Sequence, residues 1–313
     1  MTDDVVPNLG LGIATLMREP SRRKRRQLLD HAYEQGYRHF DVAPLYGLGA
    51  GEAELGEFVA THGDVVVATK VGLAPGPAAR ALAKVQGPLR AALQRFPALR
   101  SAVKGRSGAA QVPVQITEDT LVNSVENSLR RLRVESLDYL LLHEVPISSL
   151  SETAVAAAGR LIEKGSVRRF GISGPPAVVA AGDVDGTDIV TVVQTSDALE
   201  PATHVTRRDI SWIHYGVLST KLHRLGPVLQ DPPRRQEIEG ALGRGLRSVG
   251  DLASVLILLS ATARPGATVL IGSTDPAHVT AAAHALRGPF PGDEALARVR
   301  RLMSDAVSSL DTR

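Results

Sequence analysis

The run Gly36-Tyr37-Arg38-His39-Phe40-Asp41-Val42-Ala43-Pro44-Leu45-Tyr46-Gly47 decides how this chain is read. Tyr37–Ala43 reads as a buried strand carrying an acid, Asp41, at its end, with Tyr46 just beyond it. Such a strand belongs in a parallel sheet covered by helices. Working outward, similar apolar runs recur at Leu9–Thr15, Val65–Val71, Leu137–His143, Val167–Ser173, Ile189–Ser196, Ile210–Val217 and Ala267–Ser273.

Amphipathic stretches lie between these runs. Ser21 opens a helix through Gln35 with Leu28, Leu29 and Ala32 at helical spacing, Ser serving as the cap. Thr117 opens another, with Leu121, Val125, Leu129 and Leu132 on one face. Ser151 opens a third, and Asp275-Pro276 a fourth with Pro at the first helical position. Strands alternating with helices in this number predict a (β/α)8 TIM barrel, here a single domain over 1–313. A doubly wound open sheet uses the same alternation with fewer strands. Its dinucleotide fingerprint is missing, because Leu9-Gly10-Leu11-Gly12 lacks the later glycine.

One stretch breaks the rhythm. Leu73–Thr117 carries Arg80, Lys84, Arg90, Arg95, Arg100, Lys104 and Arg106 and no acidic residue. It contains short helical patterns near Ala79–Val85 and Leu89–Phe96. It is read as a basic insertion after the third strand, either solvated or lying over the barrel mouth, where a basic lid favours phosphate or carboxylate.

The composition narrows the classes. A net charge of +3 over 313 residues gives no reason to expect nucleic acid. The absence of cysteine removes disulfides and thiolate chemistry. Leu252–Ala263 is the longest apolar run and is too short to span a bilayer. Met1-Thr2-Asp3-Asp4 has no signal-peptide character, so a cytoplasmic, non-membrane protein is expected. No HExxH spacing suggests a metal site, and Gly171-Ile172-Ser173-Gly174 is not a hydrolase elbow. Nothing in the sequence sets the oligomeric state.

The strand ends carry the chemistry. Asp41 and Tyr46 follow the second strand, Lys70 closes the third, and His143 closes the fourth. Carbonyl reduction needs a hydride donor and a proton donor at oxygen. A tyrosine can give that proton, but its ordinary pKa is about 10. A nearby ammonium lowers it, a carboxylate holds the ammonium, and an imidazole orients the carbonyl. Tyr46, Lys70, Asp41 and His143 fit those four roles.

These blocks resemble the aldo-keto reductase family. The likeness runs through Gly36–Tyr46, Gly51-Glu52-Ala53-Glu54-Leu55-Gly56, Ala68-Thr69-Lys70, Ser128-Leu129-Arg130-Arg131-Leu132, Leu137–His143, Phe170-Gly171-Ile172-Ser173, Val193-Gln194, His214-Tyr215-Gly216-Val217-Leu218 and Leu270-Ile271-Gly272-Ser273. The resemblance implies a barrel that binds NADP(H) without a Rossmann domain, with Asp41, Tyr46, Lys70 and His143 as the catalytic tetrad. It implies that Ser173 and Gln194 hold the nicotinamide carboxamide and that Tyr215 stacks on the ring. It places Leu218, Ser219 and Lys221 along the pyrophosphate. Gly272, Ser273, Thr274 and His278 fall in the segment that meets the adenosine phosphate.

Gly174 stands where the family commonly has Asn, and Ala282 where Asn or Gln often reaches the adenine. Gly272 and His278 stand where basic residues often hold the 2′-phosphate, so NAD(H) stays open beside NADP(H). The expected partner is a small carbonyl or alcohol: an aldehyde, ketone or sugar. Three other readings share the barrel: a sugar dehydrogenase working oxidatively, a nucleotide-binding regulatory barrel, and a lyase or isomerase using Tyr46 and Lys70 without net redox.

Residues near Leu45, Leu48, Trp212 and the basic insertion are expected to set pocket polarity, although alternation favours packing for Trp212 itself. His214 is expected to point away from Tyr215. Arg22-Arg23-Lys24-Arg25-Arg26 reads as a solvated face, and Asp183, Asp185 and Asp188 as turn chemistry.

Overall fold

The computed structural model describes residues 8–76, 111–196, 199, 205–288 and 290–311. Eight parallel strands close a barrel: β1 (Asn8–Gly12), β2 (His39–Asp41), β3 (Val66–Val71), β6 (Leu137–His143), β7 (Val167–Gly174), β8 (Val190–Thr195), β9 (Ser211–His214) and β10 (Thr268–Ile271). Around the barrel the order is β1, β10, β9, β8, β7, β6, β3, β2. Closure settles the choice between barrel and open sheet. Each expected strand is present, though β1 is shorter than its apolar run: Ile13–Leu16 turns into a helix, α1.

Two short strands had no periodic signal. β4 (Leu73–Pro75) and β5 (Gln111–Pro113) pair antiparallel at the two feet of the basic insertion. The helical patterns expected within the insertion lie outside the described residues.

The helices begin where their caps predict. Ser21, Thr117 and Ser151 accept from the backbone N–H of Lys24, Thr120 and Ala154 at the starts of α2 (Arg22–Glu34), α4 (Glu118–Leu132) and α5 (Glu152–Glu163). Asp275 caps α10 (Pro276–Ala285) by accepting from Ala277 N–H, with Pro276 in the first turn. The apolar run at Leu252 is α9 (Val249–Ala261), fastened at Ser248 by a reciprocal bond with Asp251. Its apolar character all round reflects burial against the barrel. No described helix is long and apolar enough to cross a membrane.

The basic run of α2 is exposed at Arg22, Arg23 and Lys24, as expected, and turns inward at Arg25. Arg25 Nε donates to Glu54 Oε2 at 2.7 Å, and Arg22 pairs with Glu57, tying α2 to α3 (Ala50–Val59). Glu52 on α3 is fully buried. It accepts from Thr69 Oγ1 at 2.8 Å, Ser128 Oγ at 2.7 Å and Arg131 Nε at 2.6 Å. One carboxylate thus joins α3, β3 and α4 directly behind the strand that bears Lys70. Asp183, with a left-handed φ of 43°, accepts at its carbonyl from Gly186 N–H in the expected turn, whereas Asp185 reaches across to accept from the backbone of Thr206 and Arg207.

Two apolar layers position the site. The larger lies between strands and helices. A smaller one fills the barrel interior with Leu141, Val192, Ile213 and Leu270. Close packing in that region leaves no room for a Cβ at Gly171, which would sit 2.1 Å from the Val192 carbonyl oxygen.

Candidate active site

Register brings the candidate residues to one mouth. His143 lies beside Ser173, and Ser173 beside Gln194, on the adjacent strands β6, β7 and β8. Asp41 ends β2 and Lys70 lies near the end of β3. Tyr46 opens a tight turn in which Gly47, Leu48 and Gly49 all have left-handed φ of 62°, 59° and 90°. Glycine takes that conformation without strain, whereas Leu48 does not. The turn swings the chain from the barrel rim into α3 and leaves Tyr46 facing the cavity.

Lys70 and Asp41 form an ion pair, with side chains 2% and 6% exposed. Lys70 Nζ also donates to the Val42 carbonyl at 3.2 Å and lies 5.5 Å from the centroid of the Tyr46 ring. The Tyr46 and His143 rings meet edge to face, with centroids 6.1 Å apart. The second Asp41 oxygen accepts from Gln194 Nε2 at 2.7 Å, and Gln194 Oε1 accepts from Ser173 Oγ.

The electrostatics follow from burial. His143 is pushed down to about 3, chiefly by burial and then by the Lys70 charge, so its imidazole is neutral. His39 beneath the site is pushed down to about 4 by burial. Burial pulls Lys70 down, but Asp41 and Tyr46 more than restore it, and it remains an ammonium with a raised pKa. Tyr46 departs from the sequence expectation. Burial raises its pKa, Lys70 opposes this, Asp41 adds to the rise, and the net direction is upward. Desolvation of the phenolate is the main cause, and the Asp41 carboxylate that holds Lys70 also offsets the ammonium's charge.

The cavity measures about 410 Å³. Its lining includes Asp41, Tyr46, Lys70, His143, Ser173, Gln194, Tyr215, Leu218, Ser219 and Gly272 among the expected residues. Lys221, Ser273, Thr274 and His278 do not line it. Ser273 is buried and its hydroxyl meets His278 Nδ1 at 3.3 Å, while Thr274 and His278 are exposed beyond the rim. Gly216, with φ of 65°, leads into α7 (Val217–Leu225), whose first turn borders the cavity.

A sequence profile of the Aldo/keto reductase family matches residues 8–210. The chain belongs to the aldo/keto reductase family. It is 27% identical over 248 residues to a D-threo-aldose 1-dehydrogenase of a Pseudomonas species, covering 74% of this chain and 70% of that protein. Among solved structures, an aldo-keto reductase from Bacillus halodurans in its holo form superposes with TM-score 0.63 at 17% identity, covering 96% of this chain and 91% of the other. One from Klebsiella pneumoniae in complex with NADPH superposes with TM-score 0.63 at 19% identity, covering 95% and 91%.

Four polar lining residues of this chain were not among the expected site residues: Thr15, Arg18, Gln111 and Glu144. Glu144 had a signal, being the residue after His143 at a strand end. It adopts a left-handed φ of 58° and its N–H donates to the Ser173 carbonyl at 2.7 Å. Gln111 sits at the returning foot of the insertion, and only the β4–β5 pairing carries it to the mouth. Leu45, Leu48 and Trp212 do not line the cavity. Trp212 is 5% exposed and packs in the outer layer, with the Arg264 guanidinium 4.7 Å from its ring centroid. His214 is buried and lies parallel to the Trp212 ring.

Proposed function

We propose that this protein is an NADP(H)-dependent oxidoreductase that interconverts a carbonyl compound and its alcohol. The observation that carries the reading is the convergence of Asp41, Tyr46, Lys70 and His143 on one cavity floored by Ser173 and Gln194.

The residues fit the cofactor. The Ser173 hydroxyl and the Gln194 amide complement a primary carboxamide, and the Tyr215 ring borders the same space. The first turn of α7 presents backbone N–H groups free of side-chain capping, a setting suited to a diphosphate. When bound, NADPH supplies the hydride.

In reduction, Tyr46 gives its hydroxyl proton to the carbonyl oxygen. Lys70 stabilises the phenolate left behind, and Asp41 keeps Lys70 charged and in place. His143, neutral at working pH, orients the same oxygen by a hydrogen bond. In oxidation Tyr46 takes the alcohol proton. The raised pKa of Tyr46 keeps it protonated at neutral pH, which suits the reductive direction.

A second reading, oxidation of a sugar at its anomeric carbon, is favoured by the aldose-dehydrogenase relative and by Arg18, Gln111 and Glu144 in the lining. The test is a titration of the purified protein with NADPH and NADH, followed through Trp212 fluorescence. Saturable NADPH binding tighter than NADH binding is expected. Preference for NADH would revise the cofactor, and binding of neither to folded protein would overturn the proposal.

A further inference from the structure

A buried polar chain in the barrel interior runs Ser173, Gln194, Asp41, Lys70. The exposures of these residues are 4%, 2%, 4% and 2%. In the strand order, β8 and β2 stand on opposite sides of the barrel. The 2.7 Å bond from Gln194 to Asp41 therefore crosses the barrel axis instead of joining neighbours. It is the direct polar link between the half of the site formed by Ser173 and Gln194 and the half formed by Asp41, Lys70 and Tyr46.

Each atom of the Gln194 amide is constrained. Its oxygen accepts from Ser173, which fixes the amide's orientation and turns the nitrogen toward Asp41. Asp41 then divides its carboxylate, one oxygen to the Lys70 ammonium and the other to Gln194. A hydrogen bond donated to a carboxylate in a dry site neutralises part of its charge.

We propose that Gln194 is a positioning residue for the tetrad: by holding the second oxygen of Asp41, it sets how much of that carboxylate's charge Lys70 and Tyr46 feel. The nicotinamide role assigned to Gln194 above draws on the same amide, so the two roles share one group. Only that shared use rests on the proposed cofactor site. The bond to Asp41 stands without it.

The sign follows from the neighbours of Tyr46. Lys70 lowers its pKa, whereas Asp41 and Glu144 raise it. His143 and His39 are neutral above about pH 4. Tyr215 is pushed up to about 12 by burial and Glu144 and is also neutral, and Arg18 borders the cavity. Removing the Gln194 donor leaves Asp41 with more effective charge, and Tyr46 becomes a weaker acid.

The experiment uses cofactor-free protein labelled with 3-fluorotyrosine. The chain has five tyrosines, and the Tyr46 signal is the one missing from Tyr46→Phe. Its fluorine shift is followed against pH in the parent, in Gln194→Met and in Ser173→Ala. The expected result is a midpoint higher by roughly half a pH unit or more in Gln194→Met, with a smaller rise in Ser173→Ala. An unchanged or lower midpoint in folded Gln194→Met would overturn the proposal. Should Gln194→Met not fold, Ser173→Ala decides alone, a rise supporting the proposal and an unchanged midpoint overturning it. A parallel NADPH titration separates the two ideas. Lack of binding by the parent protein would sink the cofactor reading while leaving the fluorine comparison intact.

Discussion

Lys70 Nζ lies 5.5 Å from the centroid of the Tyr46 ring while its charge is paired with Asp41. The ammonium is therefore both beside the phenol and partly neutralised. With burial as the main cause, Tyr46 thus stays protonated in the resting protein, and in the proposed chemistry Lys70 acts mainly once phenolate charge develops. Replacing Tyr46 by Phe removes the donor and keeps the ring. Turnover should fall by about 10²–10⁴-fold, the usual contribution of general acid catalysis. NADPH affinity should stay within a few-fold of the parent. Steady-state rates and a fluorescence titration on the same preparation check both.

Asp41→Ala should strip the buried Lys70 of its counter-charge, leaving chiefly the Val42 carbonyl. Breaking one side of a buried pair destabilises by about 3–5 kcal/mol, because the remaining charge is uncompensated. Urea unfolding should show that loss. The double variant Asp41→Ala/Lys70→Met should recover most of the stability and none of the turnover. A double variant no more stable than the single one would show that the pair is not the source of the loss.

His39 and His143 should make stability depend on acid. Their folded-state values, about 4 and about 3, lie below the ordinary 6.5. Below pH 6.5 the unfolded chain takes up protons that the folded chain refuses. Stability is therefore full above that point and is lost as pH falls toward 4. Each histidine contributes a slope of about 1.4 kcal/mol per pH unit in that window. His143→Asn should remove about half of this combined slope in urea midpoints measured from pH 4.5 to 7.

Glu52→Ala should damage the fold without touching the chemistry. It orphans Thr69, Ser128 and Arg131 behind β3. A loss of about 3 kcal/mol or more is expected from the unsatisfied buried donors and the vacated carboxylate site. The kcat of the protein that remains folded should match the parent within two-fold. A selective fall in kcat at unchanged stability would instead place Glu52 in the site's machinery.

Much of this was legible in the sequence because strands and caps write local signals. Asp41, Lys70 and His143 each end an apolar run, and Ser21, Thr117 and Ser151 each open an amphipathic one. The barrel's closure was only inferable, since β1–β10 pairing joins the first and last strands of the barrel, far apart in sequence. The net pKa direction of Tyr46 was not legible, because it depends on how burial, Lys70 and Asp41 balance in space. Nor was the Gln194–Asp41 bond, whose partners lie 153 positions apart on opposite strands. Arg18 and Gln111 sit outside any periodic element, so only the folded rim reveals that they face the cavity. Trp212 was legible through strand alternation: its strand is part of the barrel and its ring packs in the outer layer.

The most direct measurement is isotopic transfer. NADPH carrying deuterium at both C4 positions of the nicotinamide is incubated with the protein and an aromatic aldehyde such as 4-nitrobenzaldehyde, and the alcohol is analysed by mass spectrometry. The proposed chemistry predicts one deuterium on the carbinol carbon for each NADPH oxidised, with Tyr46→Phe nearly silent. An aldose converted without any change in NADPH or NADP+, and no label in any product, would contradict it and assign the barrel to proton transfer without redox.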